Sequence, residues 1–192
     1  MELFDVCDLN GRPTGEIVSR AEAHRNGILH RTAHIWIIRE KDGKTEILLQ
    51  KRSRNKDSFP GRFDTSSAGH IDAGDEPLES AQRELMEELG IFAKKDELIF
   101  AGTFRIDYEE VFHGSPFRDN EVAFVFVYER PVDISKLTLQ EEEVEAVEWF
   151  ELEQTISEIE INHNKKYCVP LDGLYTLKHF LERSLSNGRK QN

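Results

Sequence analysis

Residues 77–89 constrain this chain more than any other stretch, because two different faces have to share one helix. Pro77 suits a first turn, Asp75 and Glu76 favour a helix N-terminus, and Gly90 suits the residue that ends one. Successive residues turn by about 100°. Leu78, Ala81, Leu85 and Leu89 therefore fall on one arc, which can pack against a sheet. Glu84, Glu87 and Glu88 fall on a neighbouring arc roughly 100° wide, which can face a cleft. Glu84 is a like-charge neighbour of both Glu87 and Glu88. Each such pair costs an isolated helix about 0.2–0.5 kcal/mol. A divalent cation removes that repulsion, and a hard cation such as Mg2+ combines carboxylate oxygens with water and phosphate oxygens. Arg83 lies one turn before Glu87 and can hold its carboxylate by charge-assisted hydrogen bonds.

The remaining sequence supplies a sheet for that helix. Residues 3–6 read as a short strand and Asn10-Gly11 as a turn, giving an N-terminal hairpin. Residues 34–38 and 46–50 flank Lys41-Asp42-Gly43 and read as a second hairpin. Residues 51–61 form a polar, basic loop closed by Pro60-Gly61, and residues 65–70 read as small and flexible. Strands are expected over 98–105 and 121–129, and loop followed by strand over 140–149. Leu174, Leu177, Leu181 and Leu185 repeat at a helical period. There is no internal repeat and no linker, so residues 1–192 read as one domain with an N-terminal extension over 1–30 and a C-terminal helix over 171–187.

Charge and composition exclude several function classes. Lys plus Arg number 25 against 37 Asp plus Glu, a net charge of −12, which argues against a nucleic-acid partner. Phosphate substrates stay open, because a local cationic pocket or a metal can recruit them. With 38% hydrophobic and 32% charged residues, the chain is neither collagen-like nor disordered. Cys7 and Cys168 offer no disulfide framework and no zinc spacing, and read as free thiols of a reducing cytoplasm. The acidic N-terminus is unlike a signal peptide. The apolar run 123–128 is strand-sized and too short to span a bilayer, so no membrane partner is expected.

The segment 69–91 resembles the Nudix box. Gly69, Arg83, Glu84, Leu85, Glu87, Glu88, Gly90 and Ile91 match its fixed positions at the right spacing, and Asp75 stands where the pattern has Glu. The resemblance implies an α/β fold, an α/β/α sandwich around a mixed β-sheet. It further implies hydrolysis of a diphosphate bond in a small molecule, with Glu84, Glu87 and Glu88 holding Mg2+ or Mn2+ and Arg83 orienting the site. Nudix domains often dimerise, so a homodimer is consistent with it.

A second resemblance spans most of the chain. His24 to Arg31, Ile47 to Ser53, Ser58 to Gly61, Ser67 to His70 and Asp119 to Val122 look like isopentenyl-diphosphate isomerase, a Nudix-fold relative. It implies a metal site at His24, His30, His70, Asp119 and Glu121, and places Arg52 and Lys56 near the substrate diphosphate. Such a mixed set suits Mn2+, Zn2+ or Fe2+ better than Mg2+. Three departures stand out. His24 lies closer to His30 than the family spacing has it. Asp119 replaces a Glu. Ala68 stands where the isomerase has its catalytic cysteine, and alanine cannot shuttle a proton. The intact Arg-Glu-x-x-Glu-Glu therefore favours hydrolysis of a nucleoside diphosphate derivative or an isoprenoid diphosphate. The alternatives are an isomerase working without the cysteine and a nucleotide sensor that does not cleave.

Three further groups complete the reading. The basic loop 51–56 is an island of positive charge and a candidate for phosphate recognition. Glu141, Glu142, Glu143 and Glu145 form an acidic face that offers one more ligand or base. Trp36, Phe59, Phe63, Phe104 and Trp149 read chiefly as core.

Overall fold

In the computed structural model, which describes residues 2–56, 58–112, 114–162 and 165–188, the N-terminal hairpin forms as expected. Strands β1 (Leu3–Cys7) and β2 (Pro13–Ser19) pair antiparallel. Asp8 closes the turn by accepting from the backbone N–H groups of Asn10 and Arg12 at 2.8 and 2.9 Å. Gly11, at φ +76°, lies where a Cβ would come within 2.6 Å of the Phe124 ring. Helix α1 (Arg20–Asn26) follows at once. Ser19 and Glu22 form a reciprocal cap at its start and Gly27, in left-handed conformation, ends it. At seven residues it is too short to show a periodicity.

The second hairpin is β3 (His30–Lys41) and β4 (Lys44–Arg52), joined through Asp42 and Gly43, both at positive φ as a two-residue hairpin turn requires. These strands stay paired only from Ile38/Ile47 to Lys41/Lys44. Beyond Ile38 they part like a fork. Short strands β5 (Phe63–Asp64), paired to β4, and β6 (Ser67–His70), paired to β3, occupy the fork. Ser66 bridges the two prongs. Its hydroxyl accepts from the Ile37 N–H at 2.8 Å and donates to the Leu48 carbonyl. The stretch 65–70, expected to be flexible, is thus extended and hydrogen-bonded inside the fork.

Helix α2 (Pro77–Leu89) has the expected bounds and ends at Gly90, φ +69°. Strands β7 (Leu98–Phe112) and β8 (Ser115–Tyr128) form a long antiparallel hairpin. β8 runs parallel to β3 along His30–Ile37, and β9 (Val144–Glu151) lies antiparallel to β4. Helices α3 (Leu152–Asn162) and α4 (Leu171–Gly188) close the chain.

The seven-stranded mixed sheet is apolar on both faces. On one, Ala81, Leu85 and Leu89 of α2 pack on Ile35, Ile37 and Leu48. On the other, Leu174 and Leu177 of α4 and Ile156 of α3 pack with Trp36, Phe104 and Val125. β8 shows the period of a strand buried on both faces. Ala123, Val125 and Val127 join the second cluster, and Phe126 and Tyr128 the first. The expected α/β/α sandwich is therefore present. Trp36, Phe63 and Phe104 are core residues, as read. Cys7 and Cys168 are both free thiols. Among the described residues no helix is long and apolar enough to cross a membrane.

Candidate active site

Packing the apolar arc of α2 on the sheet turns its acidic arc toward the open fork. Glu84 lies directly over Gly69 of β6, where a Cβ would come within 2.1 Å of the Glu84 Cδ. Glu88 is buried, accepting from the Ala68 N–H at 3.2 Å and from the Gln50 amide at 3.4 Å. Arg83 ties Glu84 and Glu87 to the strand. Its guanidinium lies 2.7 Å from Glu84 and 3.4 Å from Glu87, and donates to the His70 carbonyl at 3.0 Å. Glu87 stays at the exposed rim. Burial, opposed by Arg83 and reinforced by Glu87, pushes the Glu84 carboxyl up to about 7. Burial pushes Glu88 up to about 8. Two carboxyls that ionise reluctantly side by side are what a divalent cation stabilises as carboxylates.

A second cluster lies in the same cleft. Parallel pairing of β3 with β8 sets His30 beside Glu121, and antiparallel pairing of β3 with β6 sets His70 beside Thr32. α1 adds His24. One ligand atom from each of His24, His30, His70 and Glu121 lies within 4.8 Å of all the others. His24 Nδ1 sits 2.9 Å from the Arg20 carbonyl and His30 Nδ1 2.8 Å from the Ile28 carbonyl. These carbonyls hold the proton on Nδ1 and leave the Nε2 lone pairs converging. His70 Nε2 is 3.3 Å from His24 Nε2, and Glu121 Oε1 is 3.6 Å from His30 and 3.7 Å from His70. His30 Nε2 is buried with no hydrogen-bond partner. Burial, with His30 nearby, lowers His24 to about 4, and burial holds His70 well below the usual range. Burial opposes ionisation of Glu121, but the adjacent His30 and His70 rings, 3.6 and 3.7 Å from its Oε1, hold it below the usual range. Three convergent imidazoles beside a carboxylate fit a transition-metal dication. Asp119 stands 3.7 Å from His24 but outside the convergent group, and burial beside Glu121 raises it to about 9.

These two clusters, the strand-bound glycine and the Arg-Glu helix sit on a scaffold whose family is recognisable. The family model of the NUDIX domain matches residues 28–171. The chain belongs to the Nudix family. Nudix hydrolase 3 of Arabidopsis thaliana is 44% identical over 155 residues, covering 80% of this chain and 20% of the relative, so the chain spans a fifth of that protein's length. An isopentenyl-diphosphate Delta-isomerase of Dinoroseobacter shibae is 31% identical over 141 residues, covering 73% of this chain and 72% of the relative. A crystal structure of a Deinococcus radiodurans protein superposes with a TM-score of 0.63 at 17% identity, covering 84% of this chain and 90% of that one, which bears on the fold alone.

The Nudix cleft has a volume of about 630 Å3, and Glu84, Glu87 and Glu88 line it together with His24, His70 and Glu121. Arg52 and Lys56 line it too, and both are already engaged. Arg52 lies 3.0 Å from Asp64 and donates to Ser58 through Nε and NH2, and Lys56 pairs with Glu143. Of the acidic face 141–145, Glu143 enters the cleft, while Glu145 lies outside with Lys51 and Arg54. Phe59, read chiefly as core, lines the cleft instead and meets Tyr108 at 6.0 Å between ring centroids. His34, Asp64 and Tyr108 are among the cleft residues that sequence reasoning missed. Ala68 lines the wall where the isomerase resemblance calls for a cysteine.

Proposed function

We propose that this chain is a divalent-cation-dependent hydrolase that cleaves a diphosphate bond in a small molecule, working in a reducing cytoplasm. The observation that carries the reading is the pair Glu84 and Glu88, the first half-buried and the second buried, on the wall of a cleft, with Gly69 clearing space for the first. Mg2+ or Mn2+, when bound, neutralises diphosphate charge and lowers the pKa of a coordinated water. The chain's own residues set that up. Arg83 fixes Glu84 and Glu87 and anchors them to β6. The Ala68 N–H and Gln50 orient Glu88, and Arg83, Glu84, Glu87 and Glu88 together form the catalytic set. Arg52 and Lys56, braced by Asp64 and Glu143, frame the substrate's anionic side. Substrates of this reading are nucleoside diphosphate derivatives or isoprenoid diphosphates. His24, His30, His70 and Glu121 hold a second, softer cation beside them, with Asp119 at its edge.

The intact histidine cluster and the similarity to an isomerase support one other reading, isomerisation of isopentenyl diphosphate without a cysteine. One experiment separates the two. A panel containing isopentenyl diphosphate and nucleoside diphosphate derivatives is offered with Mg2+ or Mn2+, and hydrolysis products (two phosphomonoesters from a nucleoside diphosphate derivative, isopentenyl monophosphate and phosphate from isopentenyl diphosphate) are compared with dimethylallyl diphosphate. Hydrolysis is expected, falling about 100-fold or more in Glu88→Gln. Dimethylallyl diphosphate as the product, or activity untouched by the substitution, removes the hydrolase reading.

A further inference from the structure

His34 stands on the floor of the cleft, and neither the glutamate set nor the histidine cluster includes it. It is 6% exposed, it lines the cavity, and its ring meets the Phe104 ring edge-on at 5.3 Å between centroids. Across the β3–β6 ladder its direct partner is Ala68. Opposite residues of an antiparallel pair share a face, so the small Ala68 leaves the imidazole open ground toward the cavity. Nδ1 is sealed from solvent and has no hydrogen-bond partner. A proton on Nδ1 would bury a donor with no acceptor, and orphaned buried donors are rarer than underused acceptors. The proton therefore belongs on Nε2, the nitrogen on the other edge of the ring.

From this geometry we infer that His34 is a substrate-binding residue: its Nε2–H donates a hydrogen bond to an oxygen of the diphosphate in the cleft. The inference rests on the hydrolase reading of the same site. Its support is that each cationic side chain lining the cleft already has an acceptor. Arg83 meets Glu84, Glu87 and the His70 carbonyl, Arg52 meets Asp64 and Ser58, Lys56 meets Glu143, Arg20 meets Glu2 and Arg105 meets Asn120. Thr32, two residues away on the same strand face, gives its hydroxyl to Glu121 at 3.0 Å. An uncharged donor suits such a cleft, because the surrounding carboxylates do not neutralise it. Burial lowers the His34 pKa below its ordinary value, so the ring is neutral at pH 7.

The test uses methylenediphosphonate with Mg2+, a diphosphate mimic that is not hydrolysed, on the full chain. Calorimetry compares the parent with His34→Phe, which fills the space without a donor, and His34→Gln, whose amide N–H falls near Nε2. The expected result is about tenfold weaker binding in His34→Phe, with most of the affinity restored in His34→Gln. In parallel, 15N-histidine spectra of the parent, assigned by the signal that His34→Gln removes, report the tautomer. An Nε2–H form whose proton moves downfield on adding the mimic is expected. This measurement holds even if His34→Phe fails to fold. Equal affinity in parent and His34→Phe, or an Nδ1–H tautomer, overturns the inference and leaves the hydrolase reading standing. A parent that binds Mg2+ but not the mimic overturns both.

Discussion

Gly69 and Glu84 show how one missing side chain shapes the site. The Glu84 carboxyl occupies the place where a Cβ at position 69 would sit, 2.1 Å from its Cδ. The backbone at Gly69 is not left-handed, so alanine fits the chain path and conflicts only with Glu84. Gly69→Ala should therefore leave unfolding stability within about 1 kcal/mol of the parent. It should cost hydrolysis about 100-fold by moving a metal-binding carboxyl. Urea titration and initial rates on one sample check both halves, and a fully active Gly69→Ala would show that Glu84 need not stay where it is. Gly69, Arg83, Glu84 and Glu88 were legible in the sequence because their spacing is local to one strand, one turn and one helix. His34 was not. His34-Ile-Trp-Ile-Ile38 reads as buried strand, and its opening toward a cavity depends on Ala68, more than thirty residues later. The available signal was the alternation of His30, Thr32 and His34, which puts three polar groups on one face of the strand just before its apolar run.

At the scale of elements, the N-terminal hairpin is more than an extension. Phe4 of β1 is fully buried and stacks on His30 at 5.1 Å and on His70 at 4.5 Å, roofing the histidine cluster. The hairpin is pinned by Asp5, whose carboxylate meets buried Arg31 at 2.7 Å and accepts from the Gly74 N–H at 2.9 Å. Removing one partner of a buried ion pair strands the other. Asp5→Asn should thus lose about 3 kcal/mol of stability and weaken Mn2+ binding at the histidines. Denaturation and metal titration measure the two effects, and a loss of stability with unchanged Mn2+ affinity would separate the roof from the site. Helix α2 and the β3–β4 hairpin were legible because period and turn chemistry agree there. The stretch 65–70 was not, because small residues signal flexibility when read alone. Here they are small so that Glu84 and Glu88 can approach the backbone of β6. Helix α3 has Leu152, Ile156 and Ile159 at helical spacing, but its β-branched residues mask the period.

Across the whole molecule, the two clusters give the metal-free protein opposite responses to pH. His24 and His70 have depressed pKa values, so their contribution is present above their ordinary 6.5 and is lost as pH falls toward the folded values. Glu84 and Glu88 have raised values, about 7 and 8 against an ordinary 4.5, so their contribution is present at low pH and is lost as pH rises through the folded values. Between about pH 6.5 and 8 the glutamates act largely unopposed, because the folded chain holds protons there that the unfolded chain has released. Metal-free protein should therefore lose stability as pH climbs through that window. A cation on the same carboxylates displaces those protons, so its affinity rises over the same range. Its stabilisation, set by the ratio of its concentration to its dissociation constant, rises with it. The melting-temperature gain from Mg2+ should be small near about pH 6 and grow toward about pH 8, at about 2–4 °C for each kcal/mol. Glu88→Gln should reduce both the metal-free decline, part of which Glu84 and Asp119 carry, and the gain. Thermal melts with and without Mg2+ decide it. A gain independent of pH would mean that the cation binds where no buried proton has to leave, which places it away from Glu84 and Glu88.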